Sequence, residues 1–181
     1  MPNPPPPELK IAVEKQAKKL TLTETRNGVA VVLLSGNVVV GCDGSQTPSG
    51  NFVAGPWELD PTDPVFGPKP WKQEPWANPY GPYFLRLMHG NGTRTNYGIH
   101  GTRGPLNGTI GSFEKPPPSL KPDMIRALAK SAAGISLSDD DLKYLYCSHG
   151  CIRLSNQNIE KLFTLTNQAI YTGIQIKIVV S

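Results

Sequence analysis

A period-two alternation of apolar and polar residues dominates the N-terminal part of the chain. It runs over 9–13 and again over 20–22, and an Asn27-Gly28 pair separates the second run from a third, apolar run at 29–34. Period two is typical of a strand with one buried face. An Asn-Gly pair between two such runs is the strongest short-range hairpin signal. The pattern therefore predicts short strands paired through tight turns.

Composition agrees with this expectation. Of 181 residues, 18 are Gly and 19 are Pro, which favours turns and short strands and excludes a long helical bundle. The length fits one domain. The longest apolar run, 29–34, is far shorter than the roughly 20 residues of a membrane-spanning helix, so we expect no membrane span. A net charge of +4 without a basic stripe argues against a nucleic-acid partner.

The chain divides into a tether and one domain. Residues 1–8 form a proline-rich tether, and residues 9–181 form the domain. No signal-peptide pattern begins the numbering, so either the protein is cytosolic or an export signal has been removed. The sequence does not indicate an oligomeric state.

Beyond the first hairpin, the sequence predicts more strands and a late helix. Ser155 or Asn156 caps a long helix that Gly173 ends. The block 104–147 is expected to be a mainly helical insertion, with one helix at 122–133 and another that starts near Ser138. We expect strands at 38–40, 81–87, 96–100 and 174–180, a turn at 47–52, and an irregular Pro- and Trp-rich segment at 54–82.

The residues most suited to chemistry are His100 and the segment 147–154, Cys-Ser-His-Gly-Cys-Ile-Arg-Leu. A thiol with an ordinary pKa is only about 3% ionised at pH 7, and a nearby imidazole is the usual means of raising that fraction. Gly150 can direct its own amide and that of Cys151 at one point, where an acyl-transfer oxyanion would form. The pattern indicates nucleophilic catalysis by a cysteine.

These residues also carry a family resemblance. The segment 148–156, Ser-His-Gly-Cys-Ile-Arg-Leu-Ser-Asn, preceded by 97–102, Tyr-Gly-Ile-His-Gly-Thr, resembles the signature of the YkuD-type L,D-transpeptidases, cysteine enzymes of bacterial peptidoglycan. The segments 47–52 and 81–87 match further stretches in the same order. The resemblance implies a mainly β, sandwich- or barrel-like catalytic domain, an extracytoplasmic setting in the periplasm or cell wall, and no metal or organic cofactor.

The resemblance also implies roles for individual residues. Cys151 would be the nucleophile and His100 its general base, with the Gly101 carbonyl orienting the imidazole. His149 would line the oxyanion pocket together with the Gly150 and Cys151 amides.

Two further residues of the motif receive expected roles. Ser148 would belong to the oxyanion loop, and Arg153 is similar to an arginine that meets a substrate carboxylate. The 47 residues between His100 and Ser148 exceed the spacing usual in the family, so the insertion 104–147 is expected to act as a lid over the substrate groove.

The implied substrate is a peptidoglycan stem peptide. Cys151 would attack the carbonyl of a third-position diamino acid, D-alanine would leave, and an amine would take the acyl group. Water as acceptor would give L,D-carboxypeptidase activity instead. A non-catalytic wall-binding module, or a redox or zinc sensor built on Cys147 and Cys151, remain alternatives. Cys42 and Cys147 either pair or are buried separately.

Overall fold

The computed structural model describes residues 6–41, 44–59, 61, 80–102, 130, 138–142 and 148–181. Within these residues most of the regular structure is strand, and one long helix follows Cys151, so the predicted mainly β class is confirmed. The elements are β1 (Glu8–Glu14), β2 (Lys19–Arg26), β3 (Val29–Asn37), β4 (Gly50–Leu59), β5 (Tyr83–Met88), β6 (Arg94–His100), α1 (Asp139–Leu142), β7 (Ile152–Arg153), α2 (Asn156–Tyr171) and β8 (Lys177–Val180).

The strands form one sheet in the order β3-β2-β1-β8-β4-β5-β6-β7. Strand β1 pairs with β8 in parallel and β6 pairs with β7 in parallel, while the other neighbours are antiparallel. The chain after β3 then reaches the opposite edge of the sheet, because Val39 forms a bridge with Arg153 of β7. The two edges of the sheet are thereby joined next to the cysteine motif.

The predicted hairpin is present between β2 and β3. Asn27 and Gly28 both have positive φ, 50° and 78°, as a two-residue turn of the type favoured by Asn-Gly requires. The alternating residues of the first two strands enter the core, where Ile11, Val13 and Leu20 are fully buried. The sequence pattern therefore identified both the turn and the inward face.

The long helix closes one face of the core. Ser155 is its N-cap, since the Ser155 hydroxyl accepts a hydrogen bond from the Asn158 amide at 3.3 Å, and Asn156 is its first residue. Gly173, with φ of 81°, follows the C-cap and ends the helix as predicted. Ile159 and Leu162 are fully buried against the sheet.

Three local predictions are wrong. Residues 38–40 make an isolated bridge rather than a strand, and β4 occupies much of the predicted turn at 47–52 and the start of the irregular segment 54–82. A proline inside β4 made this strand hard to recognise. Pro56 fits because the register with β5 shifts between Ala54 and Trp57, where a bulge removes the need for a ladder hydrogen bond.

The described part of the insertion is attached to the domain by hydrogen bonds. Helix α1 starts after Ser138 as predicted, and the Asp139 carboxylate accepts hydrogen bonds from the Asn37 amide at 3.0 Å and from Asn158 Nδ2 at 2.6 Å. The predicted helix at 122–133, apart from Lys130, and both Cys42 and Cys147 lie outside the described residues. No helix in the described ranges is long and apolar enough to span a membrane.

Candidate active site

The register of four strands places the candidate residues on one face of the sheet. Residues paired across strands project their side chains to the same side. The core row consists of Leu85, Ile99 and Ile152, all fully buried. The adjacent row, which faces the other way, consists of Glu58, Phe84, His100 and Arg153.

A second row on that same face contains the thiol. Arg86 of β5 pairs with Gly98 of β6. Ile152 of β7 pairs with Ile99, so Cys151, which immediately precedes β7, lies beside Gly98 when the same register is continued. A hydrogen bond from the Gly98 backbone reaches the Cys151 side chain. His100 and Cys151 thus lie on adjacent strands, two positions apart in register, on one face of the sheet.

The imidazole of His100 is buried and fixed in one tautomer. Its Nδ1 lies 2.7 Å from the Gly101 carbonyl oxygen. A carbonyl only accepts hydrogen bonds, so Nδ1 carries the proton and the neutral ring has Nε2 as its basic nitrogen. Burial, followed by the positive charge of Arg153, lowers the pKa of His100 to about 3, while backbone hydrogen bonds with Gly101 and Tyr80 oppose that shift.

Aromatic rings hold the imidazole from two sides. The Phe84 ring stacks on His100 with centroids 5.7 Å apart and an interplanar angle of 12°. Tyr80 meets His100 edge-on at 5.1 Å. A Cβ at Gly98 would lie 2.2 Å from the Phe84 ring, so only glycine at that position leaves room for Phe84 to lie over β6.

Cys151 is a free thiol that opens into a cavity. The cavity has a volume of about 220 Å³, and Cys151 shares it with Glu58, Pro61, Tyr80, Phe84, Arg86 and Asn96. Burial raises the pKa of Cys151, and the Gly98 hydrogen bond and the charges of Arg153 and Arg86 only partly offset this effect. The expectation that the resting thiol has a lowered pKa is therefore wrong, because desolvation disfavours the thiolate.

The loop before Cys151 is held by one serine. The buried Ser148 hydroxyl donates to the Cys151 carbonyl oxygen and accepts from the Gly150 amide at 3.2 Å. Gly150 has φ of 105°, and a Cβ there would lie 2.5 Å from the Tyr97 ring. A substrate oxyanion would share the Gly150 amide with Ser148. His149 is exposed on the same loop.

The turn after His100 is attached to the start of α2. Asn156 Oδ1 accepts a hydrogen bond from the Thr102 amide at 2.9 Å. A Cβ at Gly101 would lie 2.4 Å from this oxygen, and one at Gly81 would lie 2.8 Å from it. The two glycines allow Asn156 to approach the backbone that carries the Gly101 carbonyl.

Arg86 and Glu58 belong to the cavity but were not identified from the sequence. Arg86 Nε donates to Glu58 Oε1 at 2.8 Å, and the Arg86 guanidinium lies 4.9 Å above the Phe84 ring. The available signal was a single charged residue inside the apolar run 81–87, where a charge needs a partner or a site. Its partner on β4 fell in the segment predicted to be irregular.

Arg153 lies at the junction of the two sheet edges. Its amide donates to the Val39 carbonyl at 2.9 Å, and its charge lowers the pKa of both His100 and Cys151. Among the residues that the structure describes, no three His, Cys, Asp or Glu side chains are grouped closely enough to hold a metal ion.

Cys151 and the oriented His100 thus lie on one face of the sheet, and a capped helix follows the cysteine motif. The family model for the L,D-transpeptidase catalytic domain, YkuD, matches residues 9–147. The chain therefore belongs to the YkuD L,D-transpeptidase family, and that membership implies an enzyme. The match ends before Cys151, so the cysteine motif is separate support. No curated protein sequence matches the chain.

Solved structures share the fold at low sequence identity. The helical cell shape-determining protein Pgp2 from Campylobacter jejuni is 16% identical, with a TM-score of 0.53 over 97% of this chain and 48% of that one. An Enterococcus faecium L,D-transpeptidase C442S mutant is 18% identical, with a TM-score of 0.50 over 96% of this chain and 50% of that one. An L,D-transpeptidase from Stackebrandtia nassauensis is 14% identical, with a TM-score of 0.50 over 96% and 55%. The chain thus spans about half the length of these relatives.

Proposed function

We propose that the chain is a cysteine acyltransferase that acts on peptidoglycan stem peptides outside the cytoplasm. The observation that carries this proposal is the β6–β7 register, which puts Cys151 and the Gly101-oriented His100 on one face of the sheet, where Cys151 opens into a cavity. Family membership supports the substrate class. The proposed reaction cleaves the bond between a third-position diamino acid and D-alanine, then transfers the acyl group to an amine.

In the acylation step, the Cys151 sulfur bonds to the carbonyl carbon of the diamino acid while its proton moves to His100 Nε2. Burial disfavours both the thiolate and the imidazolium, so the proposal has the proton leave the thiol as the carbon–sulfur bond forms and not before substrate attack. The resulting imidazolium gives its proton to the departing amine of D-alanine as the carbon–nitrogen bond breaks. A thioester on Cys151 remains.

The oxyanion of this step needs donors in the loop that holds Cys151. The proposal assigns this role to the Cys151 amide, the Gly150 amide shared with Ser148, and His149. Arg153, whose charge already acts on the site, would meet a substrate carboxylate. Gly101 would keep the imidazole in its basic tautomer throughout.

In the second step, an amine attacks the thioester carbonyl and His100 accepts its proton. The carbon–sulfur bond then breaks and Cys151 recovers its proton from His100. The same cycle with water as the nucleophile would release a trimmed stem, which is the carboxypeptidase alternative. Incubating stems with and without an amine acceptor, followed by mass spectrometry of the products, separates the two outcomes.

The proposal is tested first by covalent labelling. We expect a carbapenem to add one equivalent of mass to the protein at Cys151, because a strained β-lactam carbonyl acylates the same nucleophile. Cys151→Ala should give no adduct, while Cys147→Ala, which changes the thiol four residues earlier, should label as the wild type does. A folded, reduced sample without an adduct, together with no D-alanine release from tetrapeptide stems, would overturn the proposal.

A further inference from the structure

An ion pair that the proposed chemistry does not use lies in the cavity beside Cys151. Arg86 Nε and Nη2 both contact Glu58 Oε1, each at 2.8 Å, and Arg86 Nη1 donates to the Thr95 carbonyl at 3.3 Å. The side chains of Arg86 and Glu58 are 23% and 35% exposed. Both residues and Cys151 line the same cavity.

The pair retains unused hydrogen-bonding capacity. A guanidinium has five N–H donors. Among the residues that the structure describes, the contacts above use one N–H on each nitrogen, which leaves one on Nη1 and one on Nη2 for a ligand. Within the described residues, the Glu58 carboxylate accepts these bonds through Oε1, and Oε2 has no partner there. Stacking on Phe84 and the bond to Thr95 hold the guanidinium in place.

The charges of the pair select the kind of ligand. A lone carboxylate at Arg86 would be repelled by Glu58, and a lone ammonium at Glu58 would be repelled by Arg86. A group with a carboxylate and an ammonium on one carbon satisfies both side chains, because each of its charges meets the opposite one. The pair therefore matches the head group of an α-amino acid.

We propose that Arg86 and Glu58 form a subsite for an amino-acid head group on the side chain of the residue that Cys151 attacks. This inference rests on the proposed function, under which that residue is the third-position diamino acid of a stem peptide. Its side chain must project close to the thiol and therefore into the shared cavity. A diaminodicarboxylic acid such as meso-diaminopimelate carries the required head group, whereas lysine carries only the ammonium.

Binding to the Cys151→Ala protein measures the subsite without turnover. The probes are the tetrapeptide L-Ala-γ-D-Glu-meso-diaminopimelyl-D-Ala and the same peptide with its side-chain carboxylate amidated, titrated by calorimetry. In this background, Arg86→Gln should raise the dissociation constant of the free-acid peptide about 10- to 100-fold, as expected for lost charge-assisted hydrogen bonds. The dissociation constant of the amidated peptide should change less than about twofold.

Control variants separate recognition from general effects. Arg26→Gln breaks an Arg–Glu pair on β2 whose arginine is exposed, with Arg26 Nε 2.9 Å from Glu24, and should leave the dissociation constants of both peptides unchanged. Glu58→Gln preserves an acceptor for Arg86 and carries the test if Arg86→Gln does not fold. Glu58→Gln should raise the dissociation constant of the free-acid peptide about 10-fold. It should not change the dissociation constant of a peptide whose side-chain amine is acetylated.

The outcomes distinguish this inference from the proposed function. The subsite would be overturned if Arg86→Gln lowered the affinity for both peptides equally, or for neither. It would also be overturned if the free-acid peptide did not bind to Cys151→Ala. Carbapenem labelling and D-alanine release by the unmodified chain would still support the transferase. Conversely, the protein could bind the free-acid peptide selectively through Arg86 and yet neither react with a carbapenem nor release D-alanine. That result would support the subsite and overturn the proposed transferase function.

Discussion

Burial of His100 gives the fold a specific sensitivity to acid. The folded protein holds the pKa of His100 at about 3, while the unfolded chain has the ordinary value near 6.5. Between these values the unfolded state binds a proton that the folded state does not bind. The contribution of His100 to stability is therefore present above pH 6.5 and is lost as the pH drops from 6.5 towards 3.

The size of the effect follows from the two pKa values. Between pH 7 and pH 5, proton binding by the unfolded state alone lowers the free energy of unfolding by about 2 kcal/mol. Replacing the histidine by an amide that does not titrate removes this contribution. We therefore expect the free energy of unfolding to fall by about 2 kcal/mol more for the wild type than for His100→Gln between pH 7 and pH 5.

Urea unfolding at pH 7 and pH 5 measures the difference. The readout is the pH-dependent change within each variant, so any fixed destabilisation by His100→Gln cancels. His89→Gln is the matched control, because His89 is an exposed histidine in the loop after β5, and it should show the wild-type pH dependence. If His100→Gln lost as much stability as the wild type, His100 would not be held neutral by burial, and the assignment of a neutral base would be wrong.

Other groups near the site give further expectations. The absorbance of the Cys151 thiolate at 240 nm, taken as wild type minus Cys151→Ser, should rise at a higher pH than that of a free cysteine, because burial raises the pKa of Cys151. Gly98→Ala should lower the free energy of unfolding by about 1–3 kcal/mol in urea and slow carbapenem labelling, since its Cβ would displace Phe84 from His100. Ser155→Ala should cost about 1 kcal/mol in the same unfolding assay through loss of the bond from the Asn158 amide.

The sequence predicted those features that depend on local pattern. Alternation over 9–13 and 20–22 identified the buried faces of β1 and β2, because every second side chain of a strand lies on the same face. The positions of His100 and Cys151 followed from residue types at fixed spacing. Glu58 could not be found in this way, since its place beside Arg86 depends on pairing between strands that are far apart in the sequence.

Burial also could not be obtained from the motif. A thiol near an imidazole predicts a lowered thiol pKa if both groups are solvated, and solvation cannot be read from residue types and their spacing. The rings of Phe84 and Tyr80 contact His100, and burial is the largest cause of both shifts, since it lowers the pKa of His100 and raises that of Cys151. The sequence thus indicated which side chains to expect at the site, whereas their burial depends on tertiary contacts.

The β-bulge in β4 determines which side chain enters the cavity. Ala54 pairs with Leu87, so an uninterrupted register would place Trp57 opposite Phe84, on the face that carries His100. The one-residue shift places Glu58 there instead, and turns Trp57 towards α2, where its Nε1 donates to Thr166 at 3.1 Å. A single-residue shift reverses both faces of a strand. The same irregularity therefore anchors the helix and supplies Arg86 with its carboxylate partner.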